Sequence, residues 1–275
     1  MADAAAPVLI APRSGWIGVG ARELWQYRDL AYFLVWRDLK VRYRQTFFGA
    51  AWAIAQPALL MLAFTAFLGR IDGIGAPGIP YPLFALAGLV PWILFSQSLN
   101  AASNSLVNGQ NLISKVYFPR LLLPLSAVAS FVVDFLIASV VLAIAIVIAG
   151  RVPPATFILV PLLGLFAVAA ALAVGLWLAA INVRYRDVKY AVPFLIQLWL
   201  FASPVAYSSD LVPGELRALL ALNPMTGVID AFRWATLGIP PANSTIIVSV
   251  AVIAVVLVGG LAYFRAVERT FADTI

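Results

Sequence analysis

The chain has 275 residues, 63% of them hydrophobic and 11% charged, with a formal net charge of +6. Water-soluble domains carry about 25% charged residues, so this composition excludes a sizeable soluble domain and leaves most side chains facing lipid or other apolar helices. Cysteine and histidine are both absent, which excludes disulfides, thiol nucleophiles, His-based triads and His or Cys metal sites.

Residues 1–21, rich in Ala, Pro and Gly up to Gly20, read as a flexible N-terminus and make a poor signal peptide, because Val8–Ala11 is too short for an apolar core. Residues 22–44 read as an amphipathic interface helix. On a wheel of 100° per residue, Trp25, Tyr32, Trp36 and Tyr43 fall in one stripe, with Arg22, Gln26, Asp29, Arg37, Lys40 and Arg44 assigned to the opposite side. Such a helix suits the plane of lipid headgroups. Near Gly49 the sequence turns purely apolar, and residues 45–275 read as a membrane domain.

Apolar runs long enough to span occur at about 49–69, 82–102, 121–149, 156–181, 190–208 and 246–264. A span needs about 20 such residues, so the expected fold is an all-α membrane protein of six transmembrane helices. Pro57, Pro91, Pro124, Pro161, Pro193 and Pro204 put kinks in the first five. Sorting Lys and Arg by connection gives fourteen on one side and four on the other (Arg70, Arg151, Arg217 and Arg233), which predicts that both termini are cytoplasmic.

Three features depart from a plain bundle. The second span continues into Asn100, Asn104, Asn108 and Asn111 and then into the elbow LISKVYFPR, Leu112 to Arg120, which reads equally as a solvated connector or as a docking helix. Between the fifth and sixth spans, Ser209 to Ser244 contains two apolar helical stretches divided at Asn223-Pro224, an N-cap followed by Pro at the first helical position. These helices lie on the outer surface or re-enter the membrane. Asp134 is the one acid deep in a span, either functional or held structurally by Ser130, Ser139 or another helix. No P-loop and no paired catalytic carboxylates occur, so transport powered by another chain survives where an enzyme or a proton-coupled carrier does not.

WRDLKVRYRQTFFGAAWAIAQP, LISKVYFPRLLLPLS, RDVKYAVPF with the following SPVAY, and LNPMTGVIDAFRW resemble, in order and spacing, the signatures of ABC-2-type polysaccharide exporter permeases, the O-antigen, capsule and teichoic-acid exporter family. The resemblance runs from about Glu23 to Arg269. It implies a homodimer on two copies of a separate P-loop ABC ATPase, which would bind ATP and Mg, with no cofactor or metal in this chain and no nucleic-acid partner. It further implies an interface helix, a coupling helix after the second span, gating helices before the last, and a bacterial inner-membrane location.

The implied substrate is a polysaccharide on undecaprenyl diphosphate, moved through a channel framed by the first and fifth helices. On those helices Trp52, Gln56, Phe194, Gln197, Phe201 and Tyr207 are the candidate lining, with helix packing or a lipid-facing belt as the alternative for each aromatic. Val-Arg-Tyr-Arg occurs twice, before the first and before the fifth span, and gives a candidate entrance collar of Arg42, Tyr43, Arg44, Arg184, Tyr185 and Arg186. The alternative for the repeat is a topology signal. Arg37, Leu112, Ile113, Lys115 and Tyr117 are candidates for ATPase docking, and Arg217, Asn223, Pro224, Asp230 and Arg233 for an outer gate. The rival readings are an ABC-2 permease for a small lipid or drug and a membrane-embedded glycan-modifying enzyme.

Overall fold

The computed structural model describes residues 21–44, 51–241, 243–268 and 271. The N-terminal 20 residues, the turn at Gly49, the side chain of Arg22, and Arg269 lie outside the described residues or side chains.

The architecture is all-α. A foot, α1 (Ala21–Gln26) and α2 (Arg28–Arg44), precedes α3 (Ala51–Leu68) and α4 (Tyr81–Asn108). A four-residue α5 (Gln110–Ile113) leads to α6 (Leu122–Ala129) and α7 (Phe131–Ile148), which together make one apolar segment of 27 residues. A 3-10 turn (Ala155–Leu159) opens into α8 (Val160–Arg184); α9 (Val188–Phe201), α10 (Gly214–Ala221), α11 (Pro224–Leu237) and α12 (Asn243–Val267) follow. Among the described residues there is no strand.

Among the described residues, five segments are long and apolar enough to cross a membrane: Ala51–Leu68, Tyr81–Asn108, Leu122–Ile148, Ala155–Arg184 and Ser244–Val267. The sixth expected span, 190–208, is not among them. Its helix is α9, of 14 residues, about 21 Å at 1.5 Å per residue against a hydrocarbon core of about 30 Å. The run Ala202–Tyr207 is apolar enough to extend a hydropathy window, but Pro204 removes an N–H, and the backbone leaves the helix after Phe201.

Helix α4 is the axis, buried along most of its length, with α8 as its closest partner. Small residues permit that approach. A Cβ on Gly175 would stand 2.7 Å from the Ala102 methyl, and Ala179 and Ala180 continue the small face. Helices α11 and α12 close the other side of α8. One core joins Phe95, Leu99, Phe135, Leu142, Ala167, Ala170 and Phe232 across α4, α7, α8 and α11. A second joins Leu34 of the foot with Leu106, Phe118, Leu121–Leu123, Val183, Phe264 and Phe271. This second core gathers the Lys- and Arg-bearing foot, elbow and α8 end at one pole of the bundle. At the other pole Ser208 donates its backbone N–H to the Ile74 carbonyl and Arg151 reaches the Gly78 carbonyl.

The foot also departs from the expected arrangement of its faces. Trp25, Tyr32 and Trp36 are exposed, and so are Asp29, Arg37 and Lys40, so the aromatic stripe and the charges share the outward side. The face turned to the protein is Tyr27, Leu30, Ala31, Leu34, Asp38 and Arg42, an i, i+3, i+4, i+7 series resting on α6.

Candidate functional site

Most apolar helices bury a broad face; α3 and α9 do not. Pro57 is the one buried residue of α3 and Val192 that of α9. The candidate channel residues Trp52, Gln56, Phe194, Gln197 and Phe201 are all exposed, while Tyr207 is half-buried and donates its hydroxyl to the Phe201 carbonyl. The Gln56 side-chain carbonyl accepts from the Gln97 amide of α4 at 2.9 Å, a partner that the apolar run around Gln97 conceals in the sequence.

The two Val-Arg-Tyr-Arg copies have different environments. Arg184, Tyr185 and Arg186 are exposed at the end of α8, and Arg44 is exposed at the end of α2. Arg42 and Tyr43 instead converge on Asp134. Arg42 donates to the Asp134 carboxylate at 2.7 Å, to the Ser130 hydroxyl at 3.0 Å and to the Ser130 carbonyl at 3.2 Å, and its guanidinium lies 3.7 Å from the Phe131 ring centroid. The Tyr43 hydroxyl donates to the other Asp134 oxygen. Burial first, then the hydrogen bond to Asp134 and its charge, push the Tyr43 phenol up to about 12 against the opposing charge of Arg42. It therefore remains a proton donor throughout the physiological range. The three residues border a cavity of about 290 Å³ between α3, α4 and α7, lined further by Trp52, Gln56, Gln97 and Phe135.

At the elbow, α5 ends at Ile113 and Ser114–Pro119 is not helical, so the docking helix considered from sequence is a short turn and a loop. Phe118 is buried and anchors the loop, leaving Lys115, Val116 and Tyr117 exposed around a shallow pocket. Leu112 and Ile113 pack with Leu30 and Ala31 of the foot against the same core, so foot and elbow form one surface, with Arg37 exposed and paired to Asp38 at 2.8 Å. Asn104 is tied at 3.2 Å to the buried Asn182 of α8, whose amide also reaches the Ser103 carbonyl at 2.9 Å.

At the other pole, Asn223 caps α11 by accepting from the Met225 N–H at 3.0 Å, and Pro224 occupies the first helical position. Its side chain also accepts from the Trp199 indole at 3.0 Å and donates to the Ser203 hydroxyl at 2.8 Å and the Ala202 carbonyl at 3.1 Å. Arg233, fully buried, donates to the carbonyls of Val205 at 2.6 Å, Pro204 at 2.7 Å and Tyr207 at 3.3 Å, with its guanidinium 3.6 Å from the Phe84 ring centroid. Gly88 makes room, since a Cβ there would stand 2.6 Å from the Val205 carbonyl and 2.7 Å from the guanidinium. Asp230 accepts from the Ser209 hydroxyl at 2.9 Å, and Arg217 donates to the Asp210 carbonyl at 2.7 Å. Helix α10 leaves Leu216 and Leu219 exposed. Among the described residues no group of Asp and Glu gathers that could hold a metal.

The geometry defines a multi-pass helical membrane protein with a basic foot at one pole and a strapped helix pair at the other. The comparisons narrow it: residues 30–237 match the model of the ABC-2 type transporter family, and the chain belongs to that family. It is similar to the O-antigen export system permease protein RfbA of Myxococcus xanthus, at 36% identity over 77% of this chain and 82% of that one. An RfbA of Klebsiella pneumoniae is 27% identical over 89% of this chain and 94% of its own. The polysialic acid transport protein KpsM of Escherichia coli is 25% identical over 73% and 78%. As an ABC-2 permease the chain is a transporter component rather than an enzyme.

Proposed function

We propose that this chain is the permease of an ATP-driven exporter that moves a polysaccharide on undecaprenyl diphosphate across the bacterial inner membrane, through a channel between two copies of the chain. The observation that carries the reading is the similarity to O-antigen and polysialic acid export permeases over most of the chain. It is supported by the apolar and aromatic faces that α3 and α9 leave uncovered. A second copy would cover part of those faces, with α9 and the strapped segment after it completing the passage as the sixth membrane element. Both termini, the foot and the elbow lie on the cytoplasmic side in this reading, because the Lys- and Arg-rich connections share that pole.

Foot and elbow form the docking surface for two copies of a separate P-loop ATPase that binds ATP and Mg. The exposed Arg44, Arg184 and Arg186 receive the diphosphate, whose oxygens match the planar fork of Arg better than the point charge of Lys. Tyr185 offers the first sugar a stacking face. The α10–α11 pair covers the outer mouth.

The test is reconstitution with the partner ATPase in proteoliposomes. Lipid-linked glycan is expected to stimulate ATP hydrolysis several-fold, and the triple Arg→Lys variant at 44, 184 and 186 to insert normally with that stimulation reduced at least fivefold. Stimulation by small amphiphiles and not by lipid-linked glycan would replace the reading with that of a lipid or drug permease.

A further inference from the structure

Asp134 belongs to neither the proposed channel lining nor the proposed docking surface. Of the ion pairs among the described residues, the others join positions no more than seven apart: Arg28–Asp29, Arg37–Asp38, Arg217–Asp210 and Arg265–Glu268. Arg42–Asp134, at 2.7 Å, joins residues 92 positions apart and ties the foot to a membrane segment.

We propose that Asp134, gripped by Arg42 and Tyr43, is the positioning residue through which movement of the foot reaches α7. The bond pattern is directional. Arg42 spends two nitrogens on the carboxylate and on both oxygens of Ser130, at the point where α6 gives way to α7, and Tyr43 takes the second carboxylate oxygen. Elsewhere α2 rests on α6 with a single fully buried side chain, Leu34, an apolar contact that allows sliding. A charge held within an apolar segment has no comparable freedom. Parting the pair strands Asp134 among Phe131, Phe135 and Ala138, where an unpaired charge is strongly disfavoured.

The foot therefore carries the α6–α7 junction with it when it moves. The cavity that Arg42, Tyr43 and Asp134 border is walled by α3, α4 and α7, so that motion reshapes the space beside α3. This inference rests on the proposed export function only for its transport readout.

The experiment compares the parent, Asp134→Asn and Asp134→Glu in the reconstituted complex. The first readout is glycan exported per ATP hydrolysed. The second is the distance distribution between spin labels at Lys40→Cys and Ile148→Cys, with labelled chain diluted in unlabelled chain; the natural lack of cysteine removes background labelling. Asp134→Asn is expected to assemble and to hydrolyse ATP within twofold of the parent, to lose at least tenfold in export per ATP, and to broaden the distance distribution. Asp134→Glu is expected to restore export to within about threefold.

Arg42→Lys, which keeps the charge and loses the reach to Ser130, is expected to fall between them and keeps the test decisive should the Asn variant fail to fold. Export per ATP within twofold of the parent in Asp134→Asn, with an unchanged distribution, would overturn the proposal, as would loss of assembly in every variant including Asp134→Glu. A parent that exports no glycan yet shows a narrow distribution, broadened by Asp134→Asn, would instead refute the export reading and leave the joint standing.

Discussion

A buried arginine at one pole and a part-buried ion pair at the other anchor the two ends of the molecule. Arg233 arranges three backbone carbonyls that no regular helix could satisfy, because the chain after Phe201 is irregular and Pro204 supplies no N–H. Buried carbonyls left unpaired cost about 1–3 kcal/mol each. Arg233→Ala is therefore expected to destabilise the protein by roughly 3 kcal/mol or more, read as a marked fall in the detergent-solubilised melting temperature. Arg233→Lys, with one ammonium for three carbonyls, should recover only part of it. At the opposite pole Tyr43 gives a pH prediction. A phenol raised to about 12 in the folded chain contributes stability that is fully present below its ordinary value of 10.0 and is lost as pH rises towards 12. Tyr43→Phe is expected to lower the melting temperature by an amount that stays constant from pH 6 to pH 9. A difference that shrinks across that window would show that Tyr43 titrates lower.

Helices α9, α10 and α11 behave as one strapped unit rather than three pieces on loops. Asn223 joins the α11 cap to the end of α9 through Trp199, Ala202 and Ser203, while Arg233 and Tyr81 hold the intervening carbonyls. An outer gate built this way moves by parting Asn223 from the α9 end. Asn223→Ala removes the cap as well as the strap and is expected to cost about 1–2 kcal/mol and to raise ion leak through the reconstituted complex. A variant with unchanged leak and unchanged stability would show that the strap holds nothing closed.

Asn223-Pro224 declared its helix start because capping chemistry is local. The α9 end did not, because hydropathy scores Ala202–Tyr207 as span and cannot see which distant donor takes the carbonyls. The same holds for the foot. A wheel shows where Trp25 and Trp36 lie relative to each other, but which third face docks depends on Leu106 and Leu122, contributed by other elements. Arg42 and Asp134 were each conspicuous, yet their pairing across 92 positions has no local signature.

For the whole molecule, composition and the spacing of apolar runs were enough for an all-helical membrane fold, and the grouping of basic connections matches the pole where foot, elbow and α8 end meet. The association that would make it a channel depends on a second copy, through α3 and α9. Single cysteines at Phe201 or Trp52, introduced into a chain that has none, are expected to form disulfides between copies under mild oxidation, whereas cysteine at Ile144 on the exposed side of α7 should not. Accessibility orients the assembly: Asp72→Cys and Val152→Cys should react with impermeant reagent from outside intact cells, and Lys40→Cys and Tyr117→Cys only after lysis.

Export of a lipid-linked polysaccharide is tested by where that polymer lies when this chain is removed from its native cell. Deletion is expected to leave polymer on undecaprenyl diphosphate accumulating at the cytoplasmic face, with none at the surface, and restoring the chain together with an active ATPase, but not a hydrolysis-dead one, is expected to return it to the surface. Surface polysaccharide at the parental level in the deletion strain would contradict export by this chain.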